Sequence, residues 1–317
     1  MALQTESLLI SVVLCTYNRC DLMTAALKSV CEQSLPPSRY EVLVVDNNSS
    51  DTTKQCVLAM SRHYPHVRYL FEDKQGLSHA RNAGFRAARG LYVAYADDDA
   101  TVPTDWLCVA QHIIEQTAPA MFGGPYRPFY NAMKPPWYRD KYGSYDLGVV
   151  AKELTKDEYL CGTNMFFRRN LLEQLEGFNT EVGMMGERLG YGEETVIQRR
   201  ICNEYPKEVI YYDPRLLVSH LVRPEKMSMR WCARQMFASG QAWQHVLHET
   251  ATERIHAARS CLRGLRALAQ LTGSLVLGIL VRDRTRYPFI ENYLYEVVFV
   301  QLQTLGSTYA QLARRTD

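Results

Sequence analysis

The sequence predicts an α/β domain with a mostly parallel central sheet and flanking helices, followed by a C-terminal helical extension. Three observations carry that prediction. Short β-branched apolar runs alternate with helical patterns through the first hundred residues, one of those runs is apolar throughout, and from about Arg223 onward the apolar spacing is helical. Alternation of this kind marks βαβ units around a parallel sheet, and a strand covered on both faces reads as an unbroken apolar run.

Strands are expected over 8–15, 41–46, 67–71 and 91–96. Between the first two, Asp21 is placed to cap a helix whose apolar positions Leu22, Ala25, Ala26, Leu27 and Val30 follow helical spacing, with Pro36 and Pro37 ending it. A second helix should follow the turn Asn47-Asn48-Ser49-Ser50-Asp51, and a third, over 79–89, has a face of small residues and Gly90 to stop it. From 125 to 159 the periodicity is lost in a stretch rich in aromatics and proline, of the length that marks a functional or mobile loop. A strand over 163–167, a helix over 170–175, a glycine-rich loop over 177–192, a helix over 193–204 and apolar stretches over 209–212 and 216–220 complete the domain. Helices are then expected over 227–244, 252–281 and 293–314, and no repeat or low-complexity segment interrupts them.

At 317 residues, one large domain with an appendage is expected, since single cores stop growing at about 250–300 residues. Lys and Arg total 36 against 34 Asp and Glu, so the net charge of +2 gives no case for a nucleic-acid partner. Nine scattered cysteines without a C-x-x-C pair argue against a disulfide framework or a zinc ribbon, and reduced thiols in a cytoplasmic protein are expected. The apolar run at the N-terminus lacks a basic segment before it and a cleavage site after it, so it reads as a buried strand. Residues 267–281 carry no charge, but these 15 residues fall short of the roughly 20 that span a bilayer. With Arg254, Arg259, Arg263, Arg266, Arg282, Arg284 and Arg286 around it, this run fits either a helix resting on an anionic membrane or a face packed on the core or a second subunit.

The residues with chemistry gather at strand ends. Asp97-Asp98-Asp99 follows directly on the all-apolar strand, at the carboxyl edge where open α/β sheets bind ligands. In extended geometry Asp97 and Asp99 share a face, and a divalent cation is the common remedy for such crowded charge. A solvated acidic turn is the bland alternative. Asp46 ends its own strand similarly, as a ligand contact or as a turn residue. Arg81, in Ala80-Arg81-Asn82-Ala83-Gly84, sits near a helix start that suits an anion, or else a routine helix cap. Glu193 and Glu194 open another helix, where acidic residues serve the macrodipole or, facing a cleft, accept a proton. His220 is either structural or a further metal ligand.

Taken in order, Ser11-Val12-Val13-Leu14-Cys15-Thr16-Tyr17-Asn18-Arg19, Val44 to Asp51, Ala80 to Gly84, Asp97-Asp98-Asp99 and Gly192-Glu193-Glu194 resemble family 2 glycosyltransferases over about 9–240. The resemblance implies a GT-A fold, a nucleotide-sugar donor (a UDP-sugar first), an inverting mechanism and Mn²⁺ or Mg²⁺. It places Thr16, Tyr17 and Arg19 at the nucleotide, Asp46 on the base, Arg81 on the donor, Asp97 or Asp98 on the ribose or sugar, and Asp99 on the metal. His220 matches a histidine that some members use near the metal. Glu194 stands where the family's base usually sits, with Glu193 as the other choice.

Residues 1–225 would then be the catalytic domain, with a nucleotide-sugar half to about 125 and an acceptor half from 126, and 226–317 the extension. Trp137 and Tyr138 would form an acceptor wall or lid, or pack beneath their loop. The acceptor would be a hydroxyl of a glycan or lipid-linked oligosaccharide, in the cytoplasm or at the inner face of its membrane, the extension meeting membrane or a second copy. A sugar nucleotidyltransferase and a non-catalytic nucleotide-binding member are the alternatives. The first would need a Gly-rich basic loop where Cys15-Thr16-Tyr17-Asn18-Arg19 stands.

Overall fold

A computed structural model describes residues 8–186, 189–248 and 257–313. The chain divides into two compact units: Met1–Phe129 with Gly143–Glu181 and Glu193–Leu221, and Tyr130–Tyr142 with Val182–Gly192 and Val222–Asp317.

In the first unit, β1 (Ile10–Thr16), α1 (Cys20–Cys31), β2 (Tyr40–Asp46), α2 (Thr53–His63), β3 (Val67–Phe71), α3 (Leu77–Ala87) and β4 (Tyr92–Asp97) form successive crossovers between parallel strands. There follow β5 (Ala100–Thr101), α4 (Trp106–Thr117), β6 (Met121–Gly123), β7 (Tyr126–Phe129), β8 (Lys152–Glu153), β9 (Asn164–Arg168), α5 (Arg169–Gln174), α6 (Glu193–Glu204), β10 (Ile210–Tyr212) and β11 (Val218–Leu221). The large sheet runs β3-β2-β1-β4-β9-β6-β10-β8, and β5-β11-β7 form a second, small sheet. The large sheet is parallel from β3 to β4, whereas β9 lies antiparallel between β4 and β6.

Strand alternation separates two cores. Val12, Leu14, Val42 and Val44 pack on one face with Met23 and Leu27 of α1 and Trp106 of α4. Val13, Leu43 and Val45 pack on the other with Ala80 and Phe85 of α3 and Ile197 and Ile201 of α6. The chain passes from β1 outward to β2 and β3, then returns to β4 on the other side of β1. Strand order reverses there, so the carboxyl ends of β1 and β4 border a crevice. Their register sets Cys15 beside Asp97, while Thr16 lies beside Asp46 of β2.

Four features differ from the sequence expectation. Helix α1 begins at Cys20 with Arg19 at the N-cap position, so Asp21 lies inside the first turn and does not cap it. Helix α4 is not among the expected elements, although Trp106, Leu107, Ala110, Ile113 and Ile114 follow helical spacing and are its buried side. The apolar stretch around 216–220 leaves the large sheet for the small one, because β11 pairs with β5 and β7. Cys20 and Cys56 form a disulfide between α1 and α2, with their Cα atoms 6.6 Å apart, where the sequence suggests reduced thiols.

The second unit holds α7 (Met229–His248), α8 (Ala257–Val281), α9 (Ile290–Tyr293) and α10 (Val300–Ala313), with a π-helical turn at Leu294–Val298 joining the last two. Residues 252–256 and Arg314 of the expected helices lie outside the described residues, as does Arg254. Trp137 and Tyr138 are buried here with Val222, Met227 and Cys232. Asn292 Nδ2 donates to the Trp137 carbonyl at 2.5 Å and to the Tyr142 hydroxyl at 2.9 Å. Of the two readings of these aromatics, the structure takes packing over an acceptor wall. Helix α8 is 25 residues long, and its Arg259–Val281 portion is long and apolar enough to cross a membrane by length and composition. The shorter uncharged run 267–281 therefore understates it.

Helix α3 lies close on β1 because Gly84 has no side chain: a Cβ there would run into the side chain of Val13. Gly84→Ala should lower the unfolding free energy by about 1–3 kcal/mol, the usual cost of overpacking. Chemical denaturation checks this, and an unchanged midpoint would contradict it.

Candidate active site

The acidic turn follows β4 at the sheet's carboxyl edge, and its three carboxylates go two ways. Asp98 turns inward, 3% exposed, and accepts hydrogen bonds from Thr16 Oγ1 and Arg19, both at 2.8 Å. Burial and the neighbouring Asp99 charge push its carboxyl up to about 6, against the lowering by Arg19 and Thr16. Asp97 and Asp99 turn towards His220. Asp99 Oδ1 lies 3.0 Å and Asp97 Oδ2 4.0 Å from His220 Nε2, and one ligand atom from each residue fits within 4.8 Å of the others. Arg19 reaches Asp99 at 3.8 Å.

The backbone explains how His220 arrives there. β11 pairs with β5, which sets His220 opposite Ala100, and the Leu221 N–H donates to the Asp99 carbonyl at 2.9 Å. Tyr126 of the adjoining β7 packs edge-on against the imidazole, 5.3 Å between centroids. Two carboxylates and an imidazole are a donor set that Mn²⁺ or Mg²⁺ accepts, the carboxylates suiting either and the imidazole favouring Mn²⁺.

The loop after β1 is laced to the loop after β2. Asn18, in the left-handed region at φ 52, accepts from the Ser50 N–H at 2.7 Å, and Asp51 accepts from the Cys20 N–H at 3.2 Å. The Cys20–Cys56 disulfide joins the same segments. Tyr17 and Arg19 are left half-buried at the edge.

Two residues expected at the donor also make contacts within the protein. Asp46 is 2% exposed, and both its oxygens are used, by the Ser49 N–H at 2.9 Å and the Tyr69 hydroxyl at 2.8 Å. It anchors its turn through these two bonds. Arg81 is 3% exposed and donates to Glu193 Oε1 at 2.7 Å, with Asp97 at 3.9 Å and its guanidinium beside the Tyr95 and Phe178 rings. Its charge holds carboxylates in place.

Glu193 is as deeply buried as Arg81, and its Oε2 has no hydrogen-bond partner among the described residues. Glu194, next to it, is half-buried and keeps access to solvent. Surrounding protein and the Glu193 charge push its carboxyl up from 4.5 to about 8, against the lowering by Arg81. Asp97 adds to that rise, which puts Glu194 within electrostatic reach of the acidic turn. Nothing in the composition signals Asn47, which accepts the Gly76 N–H at 2.8 Å and donates to the Lys74 carbonyl at 2.7 Å, fixing the entry to α3.

A doubly wound sheet whose carboxyl edge brings two carboxylates and an imidazole within 4.8 Å of one another defines a candidate ligand site of the α/β class. Residues 11–176, just over half the chain, match the model for glycosyl transferase family 2, and the chain belongs to that family. It is a glycosyltransferase of GT-A fold. Among its relatives is the succinoglycan biosynthesis protein ExoM of Rhizobium meliloti, 29% identical over 249 residues, covering 78% of this chain and 77% of ExoM. The mannosyltransferase PcManGT from Pyrobaculum calidifontis, solved with GDP-Man and Mn²⁺, superposes with a TM-score of 0.59 at 21% identity over 97% of this chain and 74% of its own. Residues 1–349 of S. aureus TarS, solved with UDP-GlcNAc, give 0.58 at 16% identity over 98% of this chain and 92% of its own.

The Arg81–Glu193 pair predicts an asymmetric mutational response. Arg81→Met strands a buried carboxylate and should cost about 3–5 kcal/mol, whereas the double variant Arg81→Met/Glu193→Met should recover most of that loss. Urea melts of the three proteins check it, and equal losses in the single and double variants would contradict it.

Proposed function

We propose that this chain moves a sugar from a nucleoside-diphosphate donor, a UDP-sugar first, to a hydroxyl of a glycan or lipid-linked acceptor, with inversion at the anomeric carbon. The observation that carries the reading is the convergence of Asp97, Asp99 and His220 within 4.8 Å at the sheet's carboxyl edge, with Glu194 in electrostatic reach. Solved neighbours with GDP-Man and Mn²⁺ and with UDP-GlcNAc support the choice of donor.

Asp99 and His220, with Asp97, would hold Mn²⁺ or Mg²⁺, which supplies positive charge against the diphosphate when bound. Tyr17 and Arg19 line the nucleotide side, Arg19 adding charge from the sheet edge. Thr16 acts through Asp98, keeping that carboxylate turned away from the ligand cluster.

Glu194 accepts the acceptor's hydroxyl proton as the oxygen attacks the face of the anomeric carbon opposite the departing diphosphate. Burial supports Glu194 over Glu193 as the base, because Glu193 is closed off and bound to Arg81, while Glu194 is only half-buried and more basic than an ordinary carboxylate. Glu193 is a positioning residue, clamping the first turn of α6 to the core. The second unit, with the exposed apolar face of α8, rests on the membrane that carries the acceptor, at its cytoplasmic face.

Release of a nucleoside diphosphate from a panel of nucleotide sugars with Mn²⁺ tests the reading. Release should require the metal and be lost in Asp99→Ala; no release with any donor would favour a binding-only protein. Glu194→Gln should bind donor normally and lower kcat by about 10²–10⁴-fold. Near-normal turnover in that variant would move the role elsewhere.

Glu194 also links stability to pH. Because the fold raises this pKa, the folded state favours the protonated form. Its stabilising contribution is complete below about 4.5 and is lost as pH rises towards about 8. Glu194→Gln should therefore raise Tm, more at pH about 8.5 than at about 5.5. The kcat/KM of the native enzyme should climb over the same interval. A Tm difference that does not grow with pH would contradict the assignment.

A further inference from the structure

Helix α8 faces its own unit with small residues. Ser260 and Ala267 are buried, and a Cβ on Gly264 or Gly278 would run into Thr308 or Tyr293. Its remaining sides point outward. Leu275, Val276, Leu277, Ile279, Leu280 and Val281 are all exposed, Leu280 and Val281 at 72% each. No Asp or Glu occurs from Ala257 to Arg282.

At the other end of the same helix a cleft of about 430 Å³ opens between α8 and α10, lined by Arg259, Arg263 and Arg266 with Gln270, Gln301 and Thr304. That volume falls in the range of about 300–1,000 Å³ of small-ligand sites. The arginines, at i, i+4 and i+7, share one helix face, so three like charges crowd a concave space. All three are exposed, and among the described residues none pairs with a carboxylate and no acidic side chain lines the cleft. Two amides, a hydroxyl and the apolar Leu262 and Ala267 complete it. Such a set suits a phosphate group, which guanidinium forks bind bidentately.

What carries the phosphate follows from the rest of the helix. From Arg266 to Leu275 is nine residues, about 13 Å along the axis, and beyond it every large side chain named above is apolar and open. We propose that the α8–α10 cleft binds the phosphate headgroup of an anionic membrane lipid, with the Leu275–Val281 end of α8 in the acyl layer. This rests on the membrane reading of the second unit and gives it a specific site: Arg263 and Arg266 grip the headgroup, and Gln301 and Thr304 donate to its remaining oxygens. Arg282, Arg284 and Arg286, outside the cleft, contribute diffuse attraction only.

Flotation of the full chain with vesicles of phosphatidylcholine alone, or with added phosphatidylglycerol, tests this. The native protein should prefer the anionic vesicles, and Arg263→Gln/Arg266→Gln should weaken that binding roughly 30-fold. Arg282→Gln/Arg286→Gln should lose clearly less, and Ile279→Asn/Leu280→Asn should lose binding to both vesicle types. Unchanged melting temperatures and nucleoside diphosphate release would show that the variants fold.

Equal losses from the two arginine pairs, or none from Arg263→Gln/Arg266→Gln, would overturn the headgroup site while leaving membrane binding in place. A native protein that floats with neither vesicle would remove the membrane reading as well. Stabilisation by inorganic pyrophosphate, lost in Arg263→Gln/Arg266→Gln, without any vesicle preference would overturn the lipid as the source of the phosphate.

Discussion

Three carboxylates in consecutive positions must be held in one turn. Two unit charges 4 Å apart repel by roughly 4 kcal/mol at an effective dielectric of about 20, so the arrangement persists only with compensation built around it. The molecule divides the problem. Asp98 is taken inward by Thr16 and Arg19, while Asp97 and Asp99 are left on one side, where His220 meets them. The compensating groups come from β1, the loop after it and β11, so the turn depends on strands separated by more than two hundred residues of chain. The small second sheet has a plain purpose in this light. It carries His220 to Ala100 and fixes the Asp99 carbonyl through Leu221.

Behind the turn, Arg81 performs a comparable service for α6. Buried charges are costly unless paired, and pairing Arg81 with Glu193 ties the first turn of that helix to α3. Two adjacent glutamates thereby acquire different characters: Glu193 is fixed and closed, whereas Glu194 is half-open and raised to about 8 by its surroundings. That division of neighbours into anchor and reagent repeats the division of Asp98 from Asp97 and Asp99.

Much of this was legible in the sequence. Period and apolarity located β1 to β4 and α6, because strands buried on both faces and amphipathic helices advertise themselves locally. The acidic turn was legible for the same reason, since its meaning came from the strand preceding it. What could not be read was pairing between distant segments. Nothing local sends β11 to a second sheet, inserts β9 antiparallel between β4 and β6, or shows that Asp46 accepts from Ser49 and Tyr69. The helix start around Arg81 suits an anion, whereas its pairing with Glu193, 112 positions away, has no local signature. Trp137 and Tyr138 likewise needed the helices of the second unit to be recognised as core.

The central claim is that Asp97, Asp99 and His220 hold a divalent cation beside the donor. Electron paramagnetic resonance of Mn²⁺ bound with UDP tests it directly, since imidazole coordination leaves a nitrogen coupling on the manganese signal. The account predicts one site that shows this coupling, loses it in His220→Ala and disappears in Asp99→Ala. Manganese bound without nitrogen coupling, or bound equally well in Asp99→Ala, would contradict it.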